Sequence, residues 1–307
     1  MRLRTKSFYL AHLLLLILIG MIVLLPNQRA TTGSYTAFLT AIVVIELIFL
    51  LKMFGQREKS STETGACDIL LFTWVVFIVW ELLTSVFNIA HPVLIPSPEN
   101  VFDTFAKQWQ KMLLNVFYSM QLLSVGFFLG LVIAVILGLF AGWIPRVKNF
   151  AYPIANVMTP IPAIVFSPYL VSLMPSFRSA SVVVIVLGVF WPTFLTTINR
   201  ISAMEPQILD SARMLCLGNM AMIWKVLLPY ILPGIVSGLK VSMTTSLLML
   251  NYAELMGATH GMGYFVQNSI TYANYTHAVA GIIVIGIVVT VLNFLITQVQ
   301  ERTIKWR

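Results

Sequence analysis

Asn115–Gly142 reads NVFYSMQLLSVGFFLGLVIAVILGLFAG, 28 residues without one Asp, Glu, Lys, Arg or His. A helix needs about 20 apolar residues to cross the hydrocarbon core of a bilayer. Similar runs lie outward on both sides, at about 8–25, 35–54, 67–87, 150–173, 180–199, 230–256 and 278–299. Barrel strands alternate over about 10 residues, whereas these runs are long and continuous. Helices satisfy their own backbone groups in lipid. The expectation is an all-α polytopic membrane protein with eight transmembrane helices. Composition agrees: the 307 residues are 59% hydrophobic and 10% charged, with mean hydropathy +0.90. A soluble domain carries about 25% charged residues.

The net charge of +8 need not mean nucleic acid, because the cations sit in short loops between apolar runs. With the N-terminus in the cytoplasm, 15 of the 19 Lys and Arg residues fall on the cytoplasmic side. Only Arg29, Lys107, Lys111 and Arg178 fall outside. That bias follows the positive-inside rule and places both termini in the cytoplasm. Residues 1–25, basic over Met1–Lys6 and apolar over Tyr9–Leu25, resemble a signal peptide, but no A-x-A site follows, so they read as a retained helix. Cys67 and Cys216 are too few for a disulfide framework or a metal site. The polar stretch 56–65 separates two extra N-terminal spans (1–66) from a six-helix core (67–307). The stretch Glu99–Lys111 carries apolar residues at helical spacing and reads as an amphipathic helix at the outer interface.

Residues 200–229, RISAMEPQILDSARMLCLGNMAMIWKVLLP, form the longest cytoplasmic loop. Pro206 suits a first helical turn and Gly218-Asn219 a helix end. Ile208, Leu209, Ala212, Leu215 and Cys216 fall on one face. Such a helix either lies on the bilayer or docks on a soluble partner. Among ionisable residues inside spans, Glu254 adjoins Asn251 and Tyr252. It lines a path or hydrogen-bonds neighbouring helices. Glu81 lies near the outer face. Glu46 is more central, and its depth matches that of His12 in the first span. Pro160, Pro162 and Pro168 interrupt the fifth span.

Asp210-Ser211-Ala212-Arg213, with Leu227-Leu228-Pro229 and Leu232-Pro233-Gly234, resembles the EAA loop of ABC importer permeases. Trp80-Glu81, Leu94–Pro98, Thr159–Ala163, Ser167-Pro168, Ala253-Glu254-Leu255 and Gly261-Met262-Gly263-Tyr264 resemble the branch serving nitrate, sulfonates, taurine, bicarbonate and thiamine precursors. The resemblance runs in collinear order over 67–307. It implies a coupling helix for an ATPase at Pro206, Asp210, Ser211, Ala212, Arg213, Leu215, Cys216, Leu217 and Gly218. Cys216 stands where that family usually has glycine. It further implies a path near Pro160, Pro162, Ser167, Asn251, Tyr252 and Glu254, and an outer gate loop with Gly261, Gly263 and Tyr264. The partners implied are ATPase subunits carrying ATP and magnesium, a second permease chain (a homodimer, or else a heterodimer) and an extracytoplasmic binding protein. The location implied is the bacterial cytoplasmic (inner) membrane. No cofactor is expected on this chain, and no nucleic acid. There is no G-x-x-x-x-G-K-S/T, H-E-x-x-H, G-x-S-x-G or C-x-x-C. A membrane-embedded enzyme therefore lacks its residues, and the competing reading is an ion-driven secondary transporter.

Overall fold

The computed structural model describes residues 2–29, 33–55 and 60–303. Arg57, Lys59, Lys305 and Arg307 of the charge count lie outside them, as do residues 56–59 of the linker. The side chains of Arg2, Arg4, Lys52 and Arg213 are likewise outside the description. Every regular element among the described residues is helical. They are α1 (Arg2–Leu24), α2 (Tyr35–Gly55), α3 (Ser60–Glu81), α4 (Pro98–Trp143), α5 (Pro145–Met158) and α6 (Ser167–Leu173). Then follow α7 (Phe177–Ser202), α8 (Pro206–Met214), α9 (Asn219–Met222), α10 (Leu228–Leu255), α11 (Met262–Thr271) and α12 (Tyr275–Thr303).

All eight predicted segments hold helix. Among the described residues six helices are long and apolar enough to cross a membrane, and Tyr35–Leu51 is a shorter apolar one. The fifth segment is interrupted, as its prolines imply. It is α5 followed by Ala163–Leu173, bent by 83°. Pro160 and Pro162 each lack the N–H that would continue the ladder, and their rings crowd the preceding turn. The predicted helix at 99–111 is a helix of its own, set off from the fourth span by a kink within α4 at Gln108 (φ −120°, ψ 16°).

The chain divides into two compact units, Met1–Met112 with Val266–Ile283, and Leu113–Phe265 with Val284–Arg307. In the first, Ala11 and Leu18 of α1, Phe38 and Ile42 of α2, and Leu70 and Trp74 of α3 share one core. Phe102 stacks on Phe38, with ring centroids 5.1 Å apart. Inside this bundle His12 Nε2 lies 2.9 Å from Glu46 Oε1, so the two polar residues of neighbouring spans meet. An acidic group at that depth is costly unless it finds such a partner. Trp80 Nε1–H donates to the Pro96 carbonyl (2.9 Å). Ser85 Oγ donates to both Glu99 oxygens at 3.1 and 3.2 Å. Arg29 is held by the carbonyls of Ala90 and Ile95. Burial there pushes its guanidinium down, against an upward pull from Glu99. The Leu94–Pro98 segment is thus pinned to the end of α3.

In the second unit α4 lies close along α7. Gly126, Gly130, Gly138 and Gly142 face Ile185, Val186, Thr197 and Ile201, and a Cβ on any of them would come within 3.1 Å of α7 atoms. Small residues admit this approach where no hydrophobic driving force separates helix from lipid. Thr197 and Ser246 are buried and donate back to the carbonyls of Thr193 and Ser242, which satisfies their hydroxyls without water.

Candidate functional site

Two regions of the second unit gather the residues that the sequence singled out. The first is α8. Pro206 opens it, as expected, with Ile208 N–H and Leu209 N–H donating to the Glu205 carbonyl. Ala212 is buried, and with Leu209 it packs on Leu139, Ile201, Met204, Met222 and Leu227. Ser211 Oγ donates to the Gln207 carbonyl (2.7 Å). The expected single apolar face does not hold together. Met214 is 86% exposed and Leu215 71%, and Ile208 and Cys216 are exposed too. The reason is that the helix stops at Met214, so Leu215 and Cys216 leave the helical spacing that would have aligned them with Ala212.

The stop itself differs from expectation. Gly218 is extended (φ −65°, ψ 157°) and opens α9 rather than closing α8. The left-handed residue is Cys216, at φ 50°. That conformation costs an L-residue about 1–2 kcal/mol, whereas glycine adopts it freely. The position that resembles the family's glycine is therefore a glycine-type position occupied by cysteine. Cys216→Gly is expected to stabilise the purified chain by about 1 kcal/mol, read as a higher thermal unfolding midpoint. A midpoint that falls would show that the left-handed turn is not strained.

The second region joins α4, α10 and the start of α11. Glu254 is 1% exposed. Its Oε1 accepts from Ser119 Oγ (2.5 Å) and its Oε2 from Gly263 N–H (2.8 Å). Ser119 Oγ in turn accepts Met262 N–H, and Asn115 Oδ1 accepts Gly261 N–H, both at 2.8 Å. A helix start leaves N–H groups without partners in its own ladder. Here three remote side chains take those around the start of α11. The resemblance implied an outer gate loop here, and this anchored start is why part of it is helix. Glycine is required twice. Gly261 has φ 128°, and a Cβ there would strike the Glu254 carboxylate at 2.4 Å. A Cβ on Gly263 would lie 2.4 Å from the Asn251 carbonyl oxygen. Tyr264 follows, half-buried.

The other expected path residues are spread out. Pro160 and Pro162 are exposed at the break and Ser167 is buried at the start of α6. Ala163 packs near Met249, two residues before Asn251, whose Oδ1 is buried. Tyr252 is exposed. Sequence reading missed a cavity of about 250 Å³ between α7 and α10, lined by Thr193, Thr196, Gly234, Gly238 and Ser242. Its only sequence signal is hydroxyls and glycines at helical spacing inside apolar runs.

Residues 109–305 match the family model described as binding-protein-dependent transport system inner membrane component. The chain belongs to that family. It is 25% identical over 258 residues to the putative aliphatic sulfonates transport permease protein of Bacillus subtilis, covering 82% of this chain and 92% of that one. It is 24% identical to the taurine transport system permease protein of Escherichia coli, covering 81% and 90%. It is 25% identical to the nitrate import permease protein of Leptolyngbya laminosa, covering 91% and 97%. Among solved structures, an inward-facing MetNI methionine ABC transporter chain aligns with TM-score 0.54 at 19% identity, covering 64% of this chain and 97% of that one. A chain of a bacterial alginate ABC transporter aligns with TM-score 0.51 at 14% identity, covering 88% and 95%. At those identities the likeness is one of fold. Membership makes this member a membrane-embedded permease subunit of an ABC importer, not an enzyme.

Proposed function

We propose that this permease couples to its ATPase through residues 206–218. The exposed pair Met214 and Leu215, beside the half-buried Leu209 and the buried Ala212, carries the reading. The inner half of α8 is locked into the chain's own core, and the apolar end is presented outward. An apolar knob on a rigid mount suits a groove on a soluble partner. Asp210, Ser211, Arg213, Cys216, Leu217 and Gly218 complete the docking element. ATP and its magnesium ion belong to the partner, and this chain carries no cofactor.

Within the bilayer, the Pro160–Pro162 break supports the position of the path. Irregular backbone at membrane depth persists only against protein or a water-filled cavity. The break, Ser167, Asn251 and Tyr252, with Thr193 and Thr196, line the route of a small polar solute. A second permease chain, identical or not, covers the remaining exposed face. The anchored turn at Gly261, Gly263 and Tyr264 forms the outer gate, and an extracytoplasmic binding protein docks there. Both termini lie in the cytoplasm of a bacterial cell bounded by this membrane. Residues 67–307 form the six-helix core and 1–66 an accessory pair of spans. Co-expression with the ATPase and binding protein, followed by reconstitution into vesicles, tests the reading. Uptake is expected to require ATP and to survive an uncoupler. Uptake that persists without the ATPase and collapses with the uncoupler would instead establish the ion-driven transporter.

A further inference from the structure

At the end of α7 opposite α8 lies a cavity of about 310 Å³, lined by Tyr118, Leu122, Phe177, Arg178, Thr259 and His260, among others. That volume is at the lower end for small-molecule sites, about 300–1,000 Å³. Its walls are of two kinds. Leu122, Phe177 and the Tyr118 ring are apolar, and Tyr118 packs on the His260 ring with centroids 4.7 Å apart. Arg178, Thr259 and His260 are polar. Thr259 Oγ1 and His260 Nδ1 lie 3.0 Å apart. Among the described residues no carboxylate lines the cavity.

The state of Arg178 is informative. Of the other outer cations, Arg29 is held by carbonyls and Lys107 pairs with Asp103. The Arg178 guanidinium is engaged, among the described residues, by a neutral group, Gln121 Oε1 at 3.2 Å. A guanidinium has five donors in a planar fork suited to carboxylate, sulfonate or phosphate oxygens. The N-terminal end of α7 adds a partial positive charge of the same sign. The His260 side of the wall is not left to chance. It is the residue before Gly261, whose N–H is fixed by Asn115, and Glu254 holds Gly263 beyond it.

We infer that this cavity binds a small organic oxyanion, its charged head on Arg178 and its apolar body against Phe177, Leu122 and Tyr118. The permease would then select for charge itself, before solute enters the membrane. This deepens the importer reading and rests on it for the sidedness of the cavity and the direction of movement. An oxyanion could arrive as the transported solute or as the headgroup of an anionic phospholipid, and the two sources are separable.

The test uses the full chain in nanodiscs of zwitterionic phosphatidylcholine, with radiolabelled benzenesulfonate as probe and benzyl alcohol as neutral competitor. Saturable binding that benzyl alcohol does not displace is expected. Arg178→Gln should weaken it at least about tenfold, since a bidentate charged contact is lost, and Arg178→Lys should weaken it less. Leu122→Trp, which fills the cavity from the apolar wall, should abolish it. If anionic phosphatidylglycerol added to the disc competes with the probe, and native mass spectrometry finds that lipid retained by wild type but not by Arg178→Gln, the headgroup is the occupant. If it does not compete, the solute is. Equal probe binding by wild type and Arg178→Gln, or no binding with no retained lipid, overturns the inference. Because this readout needs no ATPase, its failure leaves ATP-driven uptake untouched, and failure of that uptake leaves the site standing.

Discussion

Glu254→Leu is expected to reduce ATP-driven uptake to a tenth of wild type or less. The carboxylate takes two donors, Ser119 Oγ and Gly263 N–H, in a buried setting. Leucine leaves both without an acceptor, and each unsatisfied buried group costs about 1–3 kcal/mol. The turn preceding α11 then loses its anchor, and Thr259 and His260 move with it. About 1.4 kcal/mol already amounts to tenfold, so the predicted loss is the conservative end. Glu254→Gln keeps one acceptor and should retain intermediate activity. The measurement is initial uptake per inserted molecule in vesicles, with insertion checked by protease protection. Wild-type uptake by the leucine variant would refute the anchoring role. Gly263→Ala should behave like Glu254→Leu, because the added methyl meets the backbone oxygen of Asn251 and backbone cannot swing aside.

Met214→Asp together with Leu215→Asp should leave the permease inserted and folded but unable to retain its ATPase. Both side chains are exposed here, so the chain's own stability should hardly change. If they fill a partner groove, each is worth about 1.5–3 kcal/mol of buried apolar surface. Replacing both by carboxylates should lower affinity at least about a hundredfold. Copurification from solubilised membranes reads this directly, with Asn149→Asp, an exposed position of α5 outside the docking element, as the comparison. Retention of the ATPase by the double variant would mean that α8 lies on the bilayer rather than in a groove. An unfolded double variant would instead show that these residues belong to the core, against the exposure described above.

What the sequence could disclose depended on whether the cause was local. Continuous apolar runs such as Asn115–Gly142 are their own explanation, so the helical architecture was legible. The His12–Glu46 pairing was legible too, because depth in two neighbouring spans limits where their polar groups can meet. The 83° bend was half-visible: its prolines were plain, but prolines also sit inside α7 and α10 without breaking them. The start of α11 was invisible. Its helix begins where it does because Asn115, Ser119 and Glu254 accept N–H groups from residues up to 146 positions away. No local pattern in 260–277 records that. The same holds for Arg178, a lone cation in the sequence that becomes a proposed site only when Tyr118 of α4 and His260 of the turn before α11 come to line the same cavity. At Cys216 the departure from the family's glycine was visible, while the left-handed turn that gives it meaning was not.

The two cysteines of this chain differ in a way that can be used. Cys67 is buried in the core of the first unit, and Cys216 is exposed at the tip of the proposed docking element. A maleimide-linked fluorophore or nitroxide added to the wild-type chain should therefore attach at one position, with no engineered residue needed. That position moves from water into a protein groove if the partner arrives. Changes in the reporter's emission or mobility would follow each step of the nucleotide cycle in real time, from the native thiol.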